Sequence, residues 1–358
     1  MSRTVNQKPR LPQKKLVSLQ KNHPNSDTGY LQFWKSMKRF IFIVTLLCMQ
    51  PALQAAYLYK DGKFIHTQDM ATLPVEEHYN LGMQALQDKN WIEAIHQFRV
   101  VTINFPLSSW GKEAFYFLAI SYFQEGDKDL ANQNLSEYLR SNSNPKYFEE
   151  TFSYKLAIAD AFKNGEKRHL FGYEKLPQWM PDKDLSITIY DEIIQSLPNH
   201  ELAAKALLSK ADHLKKQQEY RQSIESLQQI IRKFPKSEFA SKAYAHIAKV
   251  YLQQAKQDAH NPDILALAII NKKKFSQDFP RDQKLAQVDA AIVEMKEIFA
   301  TALYDIGQLY ERKKQPKASV LYYHNAITQF PDTKVALLCK ERLNELHEHA
   351  EDLKLSTP

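Results

Sequence analysis

Residue types able to do chemistry are plentiful in this chain, but their spacing assembles none of the usual sites. Of twelve His, only His347 and His349 lie close together. A separation of two puts them on different sides of a helix, and no HExxH spacing brings two imidazoles and a carboxylate to one face. His78, His96, His213, His246 and His324 are spread along the chain and read as packing or surface histidines. The eight Gly, from Gly29 to Gly307, are too scattered for a phosphate-cradling loop or a dinucleotide fingerprint. No G-x-S-x-G elbow occurs, and Cys48 and Cys339, the two cysteines, cannot form a C-x-x-C pair. The expectation is a protein with no catalytic, cofactor-binding or metal-ligating residues, whose work is binding.

The chain has 358 residues and 44% apolar content, enough for a substantial buried core. Its formal charge of +7 suggests nucleic acid until it is divided by position. Residues 1–56 hold nine Lys/Arg against the single acid Asp27, which leaves 39 basic and 40 acidic residues downstream. A body so close to neutral has no general attraction for phosphate, and a nucleic-acid partner is not expected.

Met37, Lys38 and Arg39 open an apolar run, Phe40 to Met49, followed by Pro51 and by the small residues Ala52, Ala55 and Ala56. That is the layout of a secretory signal, and the run is too short for a spanning helix, which needs roughly 20 residues. Residues 37–56 are read as a secretory or lipoprotein signal. Residues 1–36 are basic and polar: either they lie upstream of a true start at Met37, or they form a disordered tail on an uncleaved anchor. Cys48 ends the apolar run where a lipidated cysteine belongs, but Leu47 precedes it where a small residue is usual. Lipidation at Cys48 and loss of that cysteine with a cleaved leader both stay open, and in either case Cys339 has no disulfide partner.

The elements that would position a binding surface come from an internal repeat. Residues 78–106 carry Leu81, Gly82, Ala85, Trp91, Ala94, Phe98, Val101 and Pro106. These are the helix-turn-helix spacings of a tetratricopeptide repeat: small residues let two helices approach, Phe98 fills the space beside them, and Pro106 ends the second. The pattern returns with Leu118, Ala119, Tyr122, Ala131, Leu135 and Tyr138, then from Ile158 through an enlarged turn to Tyr190 and Pro198. It recurs in units ending at Pro235, Pro280 and Pro331. The predicted fold is all-α, a tetratricopeptide-repeat superhelix (α-solenoid) of five to six helix pairs over residues 76–346. Leu285 to Glu297 lead into the last pair, Val335 to Leu346 form a C-terminal capping helix, and 347–358 are a polar tail. Residues 57–75 read as an extended leader; Tyr57 to Ile65, around Asp61-Gly62, match a small hairpin.

In such repeats the first helix of each pair lines the inner groove. That register puts Tyr79, Met83, Leu86, Tyr116, Ile120, Phe123 and Leu156 in an apolar N-terminal half, the candidate peptide-binding surface. Plain core packing is the competing reading for Tyr116 and Phe123. The C-terminal half is polar, and Tyr304, Glu311 and Arg312 are the candidate partner-docking residues. The enlarged turn, Lys163 to Asp184, carries Arg168, His169, Phe171, Tyr173 and Trp179, a composition typical of contact loops, although Pro177 and Pro181 also suit a rigid spacer.

The recurrent endings Phe105-Pro106-Leu107-Ser108, Phe234-Pro235-Lys236-Ser237, Phe279-Pro280-Arg281-Asp282 and Phe330-Pro331-Asp332-Thr333, with the stretch Gln87 to Ile95, resemble the BamD (ComL/YfiO-like) family of outer-membrane assembly lipoproteins. The resemblance covers about residues 74–346. It implies a non-catalytic adapter of a Gram-negative envelope on the periplasmic side of the outer membrane. Such an adapter binds unfolded outer-membrane proteins through its N-terminal repeats and a barrel insertase through its C-terminal ones, and is held by a lipid anchor or through its partners. Family members typically have five repeats, where up to six are counted here. The alternative is a soluble periplasmic repeat scaffold coordinating cell-wall synthesis or division, although the coiled coil expected before its repeats is missing from residues 57–75.

Overall fold

The computed structural model describes residues 57–60, 63–170 and 176–355, and the chain divides into two units, 1–68 and 69–358. Segments 1–36 and 37–56, with Cys48, lie outside the described residues, as do Phe171 and Tyr173. In the first unit β1 (Tyr57–Lys60) and β2 (Lys63–His66) pair antiparallel, with Tyr57 opposite His66 and Lys60 opposite Lys63.

The second unit is a tetratricopeptide-repeat array of helix pairs. They are α1 (Val75–Gln87) with α2 (Trp91–Asn104), α3 (Ser109–Glu125) with α4 (Lys128–Ser141), α5 (Phe148–Lys163) with α6 (Lys183–Ser196), α7 (Glu201–Lys216) with α8 (Tyr220–Lys233), α9 (Glu238–Gln257) with α10 (Asp263–Asp278), and α11 (Leu285–Arg312) with α12 (Pro316–Gln329). A closing helix, α13, spans Lys334–Leu355. Each helix packs on its chain neighbours. First helices of successive pairs also touch, α5 with α7, α7 with α9, α9 with α11, and α11 with α13. Six pairs are therefore present among the described residues.

The repeated Phe-Pro phrase has a local mechanism. Phe105, Phe234, Phe279 and Phe330 each close a second helix, their N–H still bonded back to the carbonyl four residues earlier. The proline that follows has no N–H to continue the ladder. Two residues on, the hydroxyl of Ser108, Ser237 or Thr333 donates to the Phe carbonyl at 2.7 to 2.8 Å. The same oxygen accepts from the first turn of the next helix, at Gly111, Ala240 and Ala336, which caps one helix and fixes the end of another.

Within pairs, the turn closes through one residue in the left-handed region: Lys89 (φ 57), Gly126 (φ 108), Gly165 (φ 106), Gln218 (φ 68) or Lys314 (φ 56). The residue after it returns an N–H to a carbonyl five residues back, as Asp127 does to Tyr122 at 2.9 Å and Gln315 to Tyr310 at 3.0 Å. Glycine also permits a close helix contact. A β-carbon at position 82 would come within 2.8 Å of the Phe98 ring, so α1 and α2 meet with no room for a methyl group.

Buried polar groups are tied within pairs and, at Lys155, between them. Lys155 of α5 is fully buried, and its ammonium donates to Ser136 Oγ at 2.7 Å, Asn132 Oδ1 at 3.2 Å and Glu192 Oε2 at 2.8 Å, joining α4, α5 and α6. Burial lowers its pKa, against the pull of Glu192. The Tyr190 hydroxyl donates to Asp160 at 2.6 Å. Ahead of α1, Asp69 accepts from Arg99 Nε at 3.0 Å and Nη2 at 2.9 Å. His78 Nε2 accepts the N–H groups of Thr72 and Leu73, which leaves its proton on Nδ1, facing Gln97 Oε1 at 2.7 Å. His78 is thus a packing histidine, fully engaged.

Three boundaries differ from expectation. The lead-in over 285–297 and the first helix of the last pair are one continuous 28-residue helix, because nothing between Leu285 and Arg312 breaks the apolar period. The closing helix runs on to Leu355 instead of ending at Leu346, so most of the expected tail over 347–358 is helical; Glu, Ala, Leu and Lys there are all good helix formers. The enlarged turn holds a short hairpin, β3 (Lys167–His169) antiparallel to β4 (Gln178–Pro181).

Candidate partner-binding site

Two of the N-terminal groove residues are core, and the expectation for them is corrected. Tyr79 is 7% and Tyr116 5% exposed. Trp110 leans over the ring of Tyr79 at 4.6 Å, with Phe98 and Phe117 at its edges. Tyr147, from the next unit, stacks on Tyr116 at 4.3 Å and 9°. Burial first, then the negative field of neighbours such as Glu113 for Tyr79 and Tyr154 for Tyr116, pushes both phenols well above the ordinary tyrosine range. The helical spacing that marks a groove position marks a packing position equally well once the following turn supplies a ring of its own.

Met83, Ile120, Phe123 and Leu156 are half-buried, their inner sides packed on the same core. Phe123 meets the edge of Tyr154 at 5.2 Å, and the Lys128 ammonium lies 3.9 Å from its ring centre. Burial lowers the Lys128 pKa. What remains open in the N-terminal half is therefore a narrow strip of apolar side chains over an aromatic floor.

At the other end the expected docking residues do come together. Tyr304, Gln308, Glu311 and Arg312 of α11 line a cleft of about 500 Å³ whose far wall is α13, with Leu338 and Arg342. The Arg342 guanidinium clamps Glu311, its Nε 3.1 Å from both carboxylate oxygens and its Nη2 2.6 Å from Oε2; it also bonds Glu345. The Tyr323 hydroxyl donates to Glu311 Oε1 at 2.5 Å. Arg342 is the main reason the Glu311 carboxyl sits below the usual range, with burial opposing it. Glu311 is thus a strut between α11, α12 and α13, and a partner would meet Arg312 and Tyr304 instead. Arg312 is exposed and no ion pair holds it among the described residues. Its side chain borders a second cleft of about 590 Å³ along α11, floored by Ile298, Ala302, Ile306 and Leu309 and edged by His260 and Asp305.

The contribution of α13 was missed in the sequence, where that helix was assigned only a closing role. Leu338, Glu341, Arg342 and Glu345 follow the i, i+3, i+4, i+7 spacing of one face, and that was the available signal. In the middle repeats, polar side chains of the first helices lie against one another. Lys205 meets Glu201 at 2.7 Å, Lys242 meets Glu238 at 2.8 Å, and Asp212 has Lys215 at 3.1 Å and His246 at 3.5 Å.

The hairpin of the enlarged turn is anchored through His169. Its Nδ1 lies 2.6 Å from the Leu176 carbonyl and its Nε2 2.6 Å from Asp127 Oδ2, while its N–H donates to Asp129 at 3.1 Å. Both ring nitrogens face oxygen acceptors, an arrangement that suits the imidazolium. Burial acts to lower the pKa, but the Leu176 carbonyl and Asp127 outweigh it, and the net shift is upward. Arg168 bonds Asp182 at 2.8 Å, and Trp179 on β4 is 69% exposed. Among the described residues no cluster of three or more His, Cys, Asp or Glu is arranged to hold a metal ion, and no helix is long and apolar enough to cross a membrane.

The family described as YfiO, outer membrane lipoprotein, matches residues 71–260, and a tetratricopeptide-repeat family matches 301–333. Similar solved structures include a tetratricopeptide-repeat protein from Parabacteroides merdae, 10% identical over 75% of this chain and 97% of that one, with a TM-score of 0.34. A MamA double mutant is 14% identical over 62% of this chain and 98% of that one, also at 0.34. The P58(IPK) tetratricopeptide-repeat domain is 15% identical over 75% and 77%, at 0.26. The fold assignment rests on the helix pairing and the two family matches.

Proposed function

The chain belongs to the YfiO (BamD-like) outer membrane lipoprotein family, and from that premise we propose that it is a non-catalytic adapter of the cell envelope that binds unfolded outer-membrane proteins and the barrel insertase during outer-membrane assembly. The family match over residues 71–260 is the observation that carries this reading. Two surfaces of unlike chemistry support it: the apolar strip of Met83, Ile120, Phe123 and Leu156, suited to side chains of an extended peptide, and the paired clefts around Tyr304 and Arg312, suited to a folded partner. In this reading the protein works on the periplasmic side of the outer membrane, held by a lipid on Cys48 or by its partners. A labelled fatty acid incorporated by the chain and not by Cys48→Ser identifies the first of these.

Affinity capture of the full chain from detergent-solubilised envelope is the direct test. Recovery of a barrel insertase, reduced by Arg312→Glu, is the expected result. Recovery of cell-wall synthesis or division proteins in its place would replace this reading with that of a periplasmic scaffold.

A further inference from the structure

On the side of the array formed by second helices, α8 and α10 flank a cleft of about 380 Å³ whose floor is α9. Ile231 and the buried Ile247 line it, and Leu267 and Ile270 of α10 stand open at its edge, 47% and 51% exposed. Ile269, one position along, is 46% exposed. An isolated exposed aliphatic residue needs no explanation, but two at the edge of a cleft, with a third on the same helical turn, do. Two cations border the same cleft, Arg232 on α8 and Lys274 on α10. Neither has an ion-pair partner among the described residues, whereas Lys272, on the same helix, is paired with Asp289 at 2.6 Å.

We propose that the α8–α10 cleft is a docking groove for an acidic amphipathic helix of a partner protein, whose apolar face seats on Ile231, Leu267 and Ile270 while its carboxylates pair with Arg232 and Lys274. The groove between two neighbouring helices is the shape a third helix fills, ridge into groove. Charge selects the occupant. The chain's own N-terminal segment carries nine Lys/Arg against one acid over residues 1–56, so the rim repels it. A second copy meeting this patch by two-fold symmetry would set Arg232 and Lys274 against the same cations. An anionic lipid surface matches the charge but not the recess, since a flat bilayer does not reach the floor of a cleft. This groove is separate from the α11–α13 clefts, and it stands or falls independently of the function proposed above.

The test is a display selection of helix-forming random peptides of about 18 residues, five turns, on the full chain. Enriched sequences are expected to place aliphatic residues at i, i+3, i+4 and i+7 with Asp or Glu beside them. Their affinity should fall by roughly tenfold or more for Arg232→Glu with Lys274→Glu, and separately for Ile270→Ser, with helical circular dichroism unchanged. The proposal is overturned by absence of enrichment, by basic or uncharged winners, or by acidic winners that bind both variants as well as the parent. It is overturned equally if phosphatidylglycerol vesicles bind the chain and lose that binding in the same variants, or if the parent is a dimer that Ile270→Ser dissociates.

Discussion

Gly307 of α11 lies flat against the ring of Tyr323 on α12, so closely that a β-carbon would overlap the ring edge, and the hydroxyl of that ring bonds Glu311 one helical turn further along α11. Gly82 and Phe98 have the same separation in the chain and make the same contact in the first pair. Replacing Gly307 by Ala should displace the ring, loosen Glu311 from Tyr323 and cost about 1–3 kcal/mol. Gly126→Ala meets no atom but must hold φ near 108°, and should cost about 1–2 kcal/mol. Lys314→Gly relieves the left-handed conformation at φ 56 and should gain about 0.5–1 kcal/mol. Hydrogen exchange of the amides in α11 and α12 reads Gly307→Ala and Lys314→Gly; urea unfolding reads Gly126→Ala.

The hairpin anchor titrates. In the folded chain the His169 pKa is raised above the usual 6.5, so the contribution of this site to stability is fully present below that value and is lost as pH rises through the higher folded-state value. Amides of β3 and β4 should lose protection between slightly acid and slightly alkaline pH, after correction for intrinsic exchange. His169→Gln should flatten that dependence, and a profile unchanged by the substitution would exclude His169 as its source.

Tyr116 and Phe123 separate packing from binding. Tyr116→Asp puts an unpaired carboxylate among stacked rings and should destabilise by more than about 3 kcal/mol. Phe123→Ser, at a half-buried position, should keep the fold and weaken capture of outer-membrane protein peptides. Thermal unfolding and peptide binding measured on both variants distinguish these effects.

Glu311 and Arg312 are adjacent in sequence and different in role. Glu311→Gln takes away the charged partner that ties Arg342 to α11, leaving it only Glu345 on its own helix, and should lower stability by about 1–3 kcal/mol. Arg312→Glu should leave thermal unfolding unchanged and reduce insertase capture. A large stability loss in the second variant would contradict its assignment as a free contact residue.

Cys339 is buried, and burial raises its thiol pKa to about 11. A thiol reagent at mildly alkaline pH should leave it unmodified in the folded chain and label it promptly in denaturant, since the thiolate is the reacting form.

The helix pairs were legible because Gly82, Phe98 and Pro106 encode a contact, a filler and a stop within one stretch of sequence, and each recurs. The groove was only half legible. Spacing places Tyr79 and Tyr116 on the right helices, but whether a ring faces solvent depends on what the next segment brings over it, and Trp110 and Tyr147 lie outside the periodic positions. Arg342 went unread for a related reason: its value lies in reaching Glu311 across 31 residues of chain. The β3–β4 hairpin carries no alternation in Lys167 to His169, and its pairing depends on the anchors Asp127 and Asp129 at the start of α4.

Lys155 bears on how such an array avoids errors of assembly. Similar helical hairpins can stack out of order with little loss of apolar contact. A misplaced third hairpin, however, would keep Glu192 beside Lys155 but bury the ammonium without Ser136 and Asn132 of α4, a penalty of about 1–3 kcal/mol for each donor left unmet that the correct neighbour removes. One ionic residue in a greasy stack thereby acts as a proofreading mark, rejecting the wrong sequence of units more firmly than it strengthens the right one.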